Sequence, residues 1–294
     1  MKLVTFSFIL SLFICLSVFS QTIGTVMDKA TKEPIPYVSI WVEDENNGTT
    51  SDENGIFQIV VSQKSKNLIF SALGYEKKIM PISSEMKVEM IPSTIELREV
   101  VLFKKYGNRQ LEIGETESPF LQAYENGPRI DIKYFPYKEK YKKTKYIKQV
   151  VLNTDCRIEE ATIKLHFYKV DQDGLPGAEM LERDYIATVN KGVKKTLFNL
   201  STFNMVMPKE GIFVGFERLK IEKNRYEKTI RDANTSSNII QTVFCPFVLY
   251  NKVEREYTYN FSSGNWKREP AANVRYSANA TMVYEPAINL ILVN

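Results

Sequence analysis

Apolar residues in this chain come in short runs, and many of the runs repeat with a period of two. Val38, Ile40 and Val42 alternate with Ser39, Trp41 and Glu43, the pattern of a strand with one buried face. Further runs at 22–27, 56–61, 68–72, 75–79 and 86–90 are also read as strands. Between them lie Asn46-Asn47-Gly48, Asp52-Glu53-Asn54-Gly55 and Gly74, residues that supply the backbone of tight hairpins. Six short strands so closely spaced predict a small β-sandwich.

The same reading continues beyond a polar connector. Segments 130–134, 146–152, 161–170, 185–189, 196–200, 212–218, 242–249, 255–259 and 274–284 are read as strands. In the last, Tyr276, Ala278, Ala280, Met282 and Tyr284 share one face, and Arg275, Ser277, Asn279 and Thr281 the other. No long helical period appears. The chain is therefore expected to be all-β: a small sandwich followed by a larger one. The division is 1–20 signal peptide, 21–92 first sandwich, 93–110 connector and 111–294 second sandwich. A membrane barrel fits less well, because spanning strands need about 9–11 residues and most of these are shorter.

Composition narrows the class. Of 294 residues, 44% are hydrophobic and 25% charged, the balance of a globular chain rather than a disordered one. A net charge of +4 is too small to argue for nucleic acid as a partner. Lys2 followed by a charge-free apolar stretch to Phe19 has the form of a secretion signal, with cleavage expected between Ser20 and Gln21. That stretch falls short of the roughly 20 residues of a membrane span, so no span is expected after cleavage. Ile14 before Cys15 is too bulky for a lipoprotein signal. Two cysteines remain after cleavage, Cys156 and Cys245. They are read either as a disulfide formed outside the cytosol or as two buried thiols.

Several motifs in the first unit fall in a fixed order: Gly24, Val26 and Asp28; Pro34-Ile35-Pro36-Tyr37-Val38-Ser39-Ile40; Gly48, Thr49, Ser51, Asp52, Gly55 and Phe57; and Leu73-Gly74-Tyr75. This stretch resembles the carboxypeptidase-like regulatory domain, a transthyretin-like Greek-key sandwich. The resemblance covers about a quarter of the chain. It implies a non-catalytic accessory module of exported and outer-membrane proteins of Gram-negative bacteria, often found before receptor barrels. Glu96 to Leu102 resembles the short strand that follows this module. The second unit is more loosely similar to jelly-roll domains of exported bacterial proteins, through Leu165–Tyr168, the turn Asp171 to Gly177, and Gly211 to Glu217.

Candidate chemistry is sparse. His166 is the only histidine, which excludes a multi-histidine metal site. It lies opposite Ile163, Leu165 and Phe167 and reads as a packed or surface strand residue. Asp171 and Asp173 offer oxygens to calcium, but without the full loop spacing, and Asp-x-x-Gly is equally a hairpin turn. Glu159, Glu160, Glu217 and Glu222 are the carboxylates available for a glycoside hydrolase, with no feature selecting a pair. Lys140, Tyr141, Lys142, Lys143 and Lys145 belong to a stretch in which cations alternate with tyrosines. It suits a polyanion such as acidic glycan, or else a solvated hairpin. Trp266, in a hairpin-like loop, and Trp41 are candidates to stack on a sugar ring. No cofactor is expected. The expected role is an exported envelope binding or scaffolding protein, with a glycan or an outer-membrane protein as partner. The alternatives are a carbohydrate-active hydrolase or a substrate-capture accessory of a transporter.

Overall fold

The computed structural model describes residues 20–93, 107–115, 119–120, 129–232, 237–262, 264–271 and 282–294. Residues 1–19 of the expected signal segment, Glu96 to Leu102 and most of the predicted strand 274–284 lie outside these. Described secondary structure is strand apart from short 3-10 turns.

The first seven strands are β1 (Ser20–Asp28), β2 (Ser39–Val42), β3 (Gly48–Thr50), β4 (Ile56–Val61), β5 (Asn67–Ser71), β6 (Lys78–Pro81) and β7 (Glu85–Met90). They form a three-stranded sheet in the order β4-β1-β7 and a four-stranded sheet in the order β3-β2-β5-β6. β1 and β7 run parallel, so the last strand returns to lie beside the first. Between the sheets is a core of Val26, Ile40, Phe57, Ile59, Phe70 and Val88 with their neighbours. β4 shows the period-two logic directly: Phe57, Ile59 and Val61 are buried, and Ile56, Gln58 and Val60 are exposed.

Motif residues in this sandwich carry its architecture. Asp28 Oδ1 accepts hydrogen bonds from the backbone N–H of Ala30 (2.6 Å) and Thr31 (3.0 Å), and its Oδ2 accepts one from the Tyr75 hydroxyl (3.0 Å). The two ends of the motif are thereby tied together across 47 residues. Gly24 lies where backbone meets ring. A Cβ there would stand 2.5 Å from Met86 O and 2.6 Å from the Phe57 ring. Gly24→Ala is therefore expected to destabilise the protein by about 1–3 kcal/mol through overpacking, read as a lower urea midpoint.

The remaining strands are β8 (Gln110–Ile113), β9 (Ile130–Phe135), β10 (Tyr146–Cys156), β11 (Ala161–Val170), β12 (Pro176–Glu179), β13 (Tyr185–Val189), β14 (Gly192–Asn199) and β15 (Ile212–Arg218). After them come β16 (Arg225–Arg231), β17 (Asn238–Phe244), β18 (Phe247–Val248), β19 (Tyr250–Glu254), β20 (Tyr257–Ser262), β21 (Asn265–Pro270), β22 (Met282–Pro286) and β23 (Ile288–Val293). One sheet has the order β14-β10-β23-β8, with β18 also on β10. The facing sheet has the order β12-β11-β15-β9, with β13 also on β11. Val150, Leu152, Leu290 and Leu292 of the first sheet pack on Leu165, Phe167, Val214 and Phe216 of the second. Three two-stranded ribbons, β16–β17, β19–β22 and β20–β21, complete the sandwich.

β2 departs from expectation. The alternation predicted one buried face, but all four of its residues are buried. Ser39 and Trp41 point away from the first core and are covered by the second sandwich. That contact creates the site described next.

Candidate functional site: a charged and aromatic junction

β11 presents two different faces. Ile163, Leu165 and Phe167 enter the larger core, while Lys164, His166 and Tyr168 face the first sandwich. The register sets Lys164 opposite Glu217 of β15 and His166 opposite Gly215, so a cation and a carboxylate meet on one face.

His166 is held at both nitrogens. Nδ1–H donates to Glu179 Oε1 at 2.6 Å, and Nε2–H donates to Glu217 Oε2 at 2.9 Å. With an acceptor at each nitrogen, the ring is an imidazolium. Burial opposes that charge, but the two carboxylates outweigh it and raise the His166 pKa to about 9. The ring lies flat on Tyr168, with centroids 5.5 Å apart and planes 7° apart. Burial pushes the Tyr168 phenol well above its ordinary range.

Each carboxylate is fully engaged. Glu217 accepts a hydrogen bond from Ser39 Oγ at 2.7 Å through its other oxygen, and Glu179 Oε2 accepts one from the Phe167 N–H at 3.0 Å. Burial acts to raise the Glu217 pKa, but the His166 hydrogen bond and the Lys164 charge hold it below the usual carboxylate range. Lys164 Nζ bonds to Tyr37 O at 2.7 Å and to Asp184 Oδ2 at 3.1 Å. Despite complete burial, these acids raise its pKa. Further polar contacts between the two sandwiches are Lys220 Nζ to Gly48 O (2.8 Å), the Lys220 N–H to Thr50 Oγ1 (3.2 Å) and Lys77 Nζ to Gly264 O (3.3 Å).

Beside the clamp lies a cleft of 430 Å³, within the roughly 300–1,000 Å³ of ordinary ligand sites. Trp41, Phe261, Trp266 and Tyr168 form its aromatic wall. Phe261 lies 4.8 Å from both Trp41 and Trp266, and Trp266 lies 5.6 Å from Tyr168. Trp41 is almost completely buried, whereas Trp266 on β21 is half-buried and faces the cleft.

Residues 22–102 match the family model of the CarboxypepD_reg-like domain. No curated protein matches the chain. Among solved structures, one of the infectious bursal disease virus Gx strain aligns at 11% identity and a TM-score of 0.25, covering 94% of this chain and 64% of the viral one. A DUF3823 family protein from Bacteroides uniformis aligns at 10% identity and a TM-score of 0.19, covering 78% of this chain and 98% of its own.

The CarboxypepD_reg-like domain thus contributes Ser39, Trp41 and the Tyr37 carbonyl to the site, and the second sandwich contributes the charges. The order Ser39–Glu217–His166–Glu179 is not that of a nucleophilic triad. There the histidine stands between hydroxyl and acid and keeps one nitrogen free as a base. Here the hydroxyl donates to a carboxylate and both nitrogens are occupied. Among the described residues, no cluster of three His, Cys, Asp or Glu side chains is placed to hold a metal ion.

Of the four acids singled out in the sequence, only Glu217 reaches the junction. Glu159 accepts from the Lys191 N–H at 3.3 Å, Glu160 sits in a turn at φ 52°, and Glu222 pairs with Arg225 at 3.1 Å. Asp171 Oδ1 accepts the N–H groups of Asp173 (2.9 Å) and Leu175 (2.8 Å). Asp52 Oδ1 makes the same turn with Asn54 (2.9 Å) and Ile56 (2.8 Å). Trp266 lies in a strand rather than in the expected loop. Lys140, Lys142, Lys143 and Lys145 are exposed on and beside the 3-10 turn Glu139–Lys143, and Tyr141 is buried beneath them. Cys156 and Cys245 are buried thiols in the larger core. A hydrogen bond from Cys156 lowers the Cys245 pKa and correspondingly raises that of Cys156. Sequence reasoning missed Glu179, Asp184 and Lys164. Their available signal was two cationic side chains spaced by two on an otherwise apolar strand.

Proposed function

We propose that this is an exported, non-enzymatic binding or scaffolding protein of the Gram-negative envelope. In this reading residues 1–20 are removed as a signal peptide, 21–92 and 111–294 are the two sandwiches, and 93–110 joins them. The junction cleft takes a sugar ring of an envelope glycan against Trp266. One observation carries the reading. The Glu179 and Glu217 oxygens and both His166 nitrogens are spent on internal hydrogen bonds, which leaves the aromatic wall as the ligand-facing chemistry. A glycosidase needs one carboxyl free to donate a proton and another free to attack or to activate water. Neither acid is free here. No helix among the described residues is long and apolar enough to cross a membrane.

Titrating the protein with envelope oligosaccharides while following tryptophan emission tests the reading. Binding without hydrolysis is expected, with Trp266→Ala weakening it about five- to thirtyfold, in line with loss of about 1–2 kcal/mol of ring stacking. Release of reducing sugar by the wild-type protein, or unchanged affinity in Trp266→Ala, would overturn it.

A further inference from the structure

The larger sandwich opens between two edge strands, β8 of one sheet and β9 of the other, and a second cavity of 540 Å³ lies there. Its charge is unevenly distributed. Lys133 of β9 pairs in register with Val214 and so points to the core side of the sheet, where its side chain is 2% exposed. Its nearest acid oxygen is Glu285 Oε2 at 3.6 Å, beyond hydrogen-bond reach. Both Glu285 oxygens are already taken by Arg255, at 2.7 Å from Nε and 3.1 Å from Nη2. Two cations therefore share one carboxylate, and among the described residues the Lys133 ammonium has no hydrogen-bond acceptor. A buried ammonium in that state is costly unless further negative charge approaches.

The rest of the cavity supplies what a charged sugar needs. Tyr134, Tyr257 and Tyr259 form its wall, and the buried Tyr141 borders it from the core side. At its mouth Lys138 begins the exposed run Lys138, Lys140, Lys142, Lys143 and Lys145, none of which has a carboxylate partner among the described residues. Glu115, Glu256 and Glu285 line the cavity and balance Lys133, Lys138 and Arg255 within it, so the pull on an anion comes from the exposed lysine rim.

We propose that this cavity and the adjoining lysine turn bind an acidic saccharide, its rings on the tyrosines and its carboxylate or phosphate drawn to Lys138 and the lysines that follow it. Arg255 is held by Glu285 and the Glu254 carbonyl. Lys133 acts from just beneath the wall by charge rather than by contact. The site is separate from the junction and does not depend on the proposal made for it.

Calorimetry on the full chain tests this with three probes, tetragalacturonate, mannose 6-phosphate and neutral maltotetraose, at 20 and 150 mM NaCl. At least one anionic probe is expected to bind, at least tenfold more tightly than maltotetraose and more weakly at the higher salt. Which anionic probe wins identifies the source as a uronate or a phosphorylated sugar. Changing Lys138, Lys140, Lys142, Lys143 and Lys145 together to Gln should cost at least tenfold at low salt and flatten the salt dependence. Tyr257→Ala should cost several-fold at both salts, and Trp266→Ala should change nothing. Absence of binding by both anionic probes, equal binding of maltotetraose, indifference to both the lysine and Tyr257 changes, or loss in Trp266→Ala would each overturn the proposal.

Discussion

Glu217→Ala is expected to cost about 3–5 kcal/mol, the scale for removing one partner from a buried ionic network. The substitution strands three groups at once. His166 loses the acceptor at Nε2, Ser39 loses the acceptor of its hydroxyl, and Lys164 loses a facing negative charge. Glu217→Gln keeps the shape and an acceptor oxygen but not the charge, so its loss should be smaller. Both of the chain's tryptophans line the junction cleft, so their emission during urea unfolding reports on this region without any added probe. A change under about 1 kcal/mol in Glu217→Ala, no more than one ordinary hydrogen bond, would mean that the junction is held by something other than this network.

Raising the pH should loosen the same junction. The folded-state pKa of His166 is about 9, above the ordinary imidazole value of 6.5. Its stabilisation is therefore complete below pH 6.5 and is lost as pH climbs through 9, a total of about 3 kcal/mol at 1.36 kcal/mol per pKa unit. Glu217 acts at the other end. Its lowered pKa gives stability that is present above the ordinary carboxylate range and is lost as the solution becomes acidic. Lys220 runs opposite to His166. Burial lowers its pKa to about 8, so the cost of its buried charge is relieved as pH rises from 8 toward 10.5. The groups facing His166 are Glu179, Glu217, Lys164 and Tyr168, and the Tyr168 phenol stays neutral throughout. Cys245, whose thiol pKa is lowered to about 7, also titrates between pH 6.5 and 8 and acts opposite to His166, so the histidine is isolated by the difference between two proteins. Across that interval the urea midpoint of the wild type should fall relative to that of His166→Gln. Parallel profiles for the two proteins would assign the pH dependence elsewhere.

How much of this was legible depended on which surface a strand faced. The bounds of β4, β11 and β13 were read residue for residue because apolar side chains at every second position mark one buried face, and those of β15 from its near-continuous apolar run after Gly211, since all seven of its residues are buried. β23 was missed. Five of its six residues are buried, so nothing alternates, and Asn289 interrupts the apolar run. β3 was too short to show a period. The junction was hidden more deeply. Ser39 and Trp41 read as a solvent face, Lys164 as an ordinary polar position, His166 as a packed or surface strand residue, and Glu217 as one of four carboxylates that nothing selected. Their partners lie across separations as large as 178 residues, and only the folded chain brings them together. Glu179 sits on an edge strand of four residues that follows an Asp-x-x-Gly turn. The two Asp-x-x-Gly turns carried both a metal reading and a hairpin reading in the sequence. The Asp171 and Asp52 carboxylates accept backbone N–H groups of their own turns, so those side chains serve the hairpin.

Burial of both sides of β2 bears on how such a protein could be assembled from parts. The 22–102 stretch is recognisable as a cassette through its match to the CarboxypepD_reg-like domain. Here, however, Ser39 and Trp41 are sheltered by the neighbouring sandwich, and they shelter its charges in return. Transplanting the cassette alone would open a dry ion cluster on one piece and an indole on the other, so a unit that is portable in sequence is no longer portable in energy.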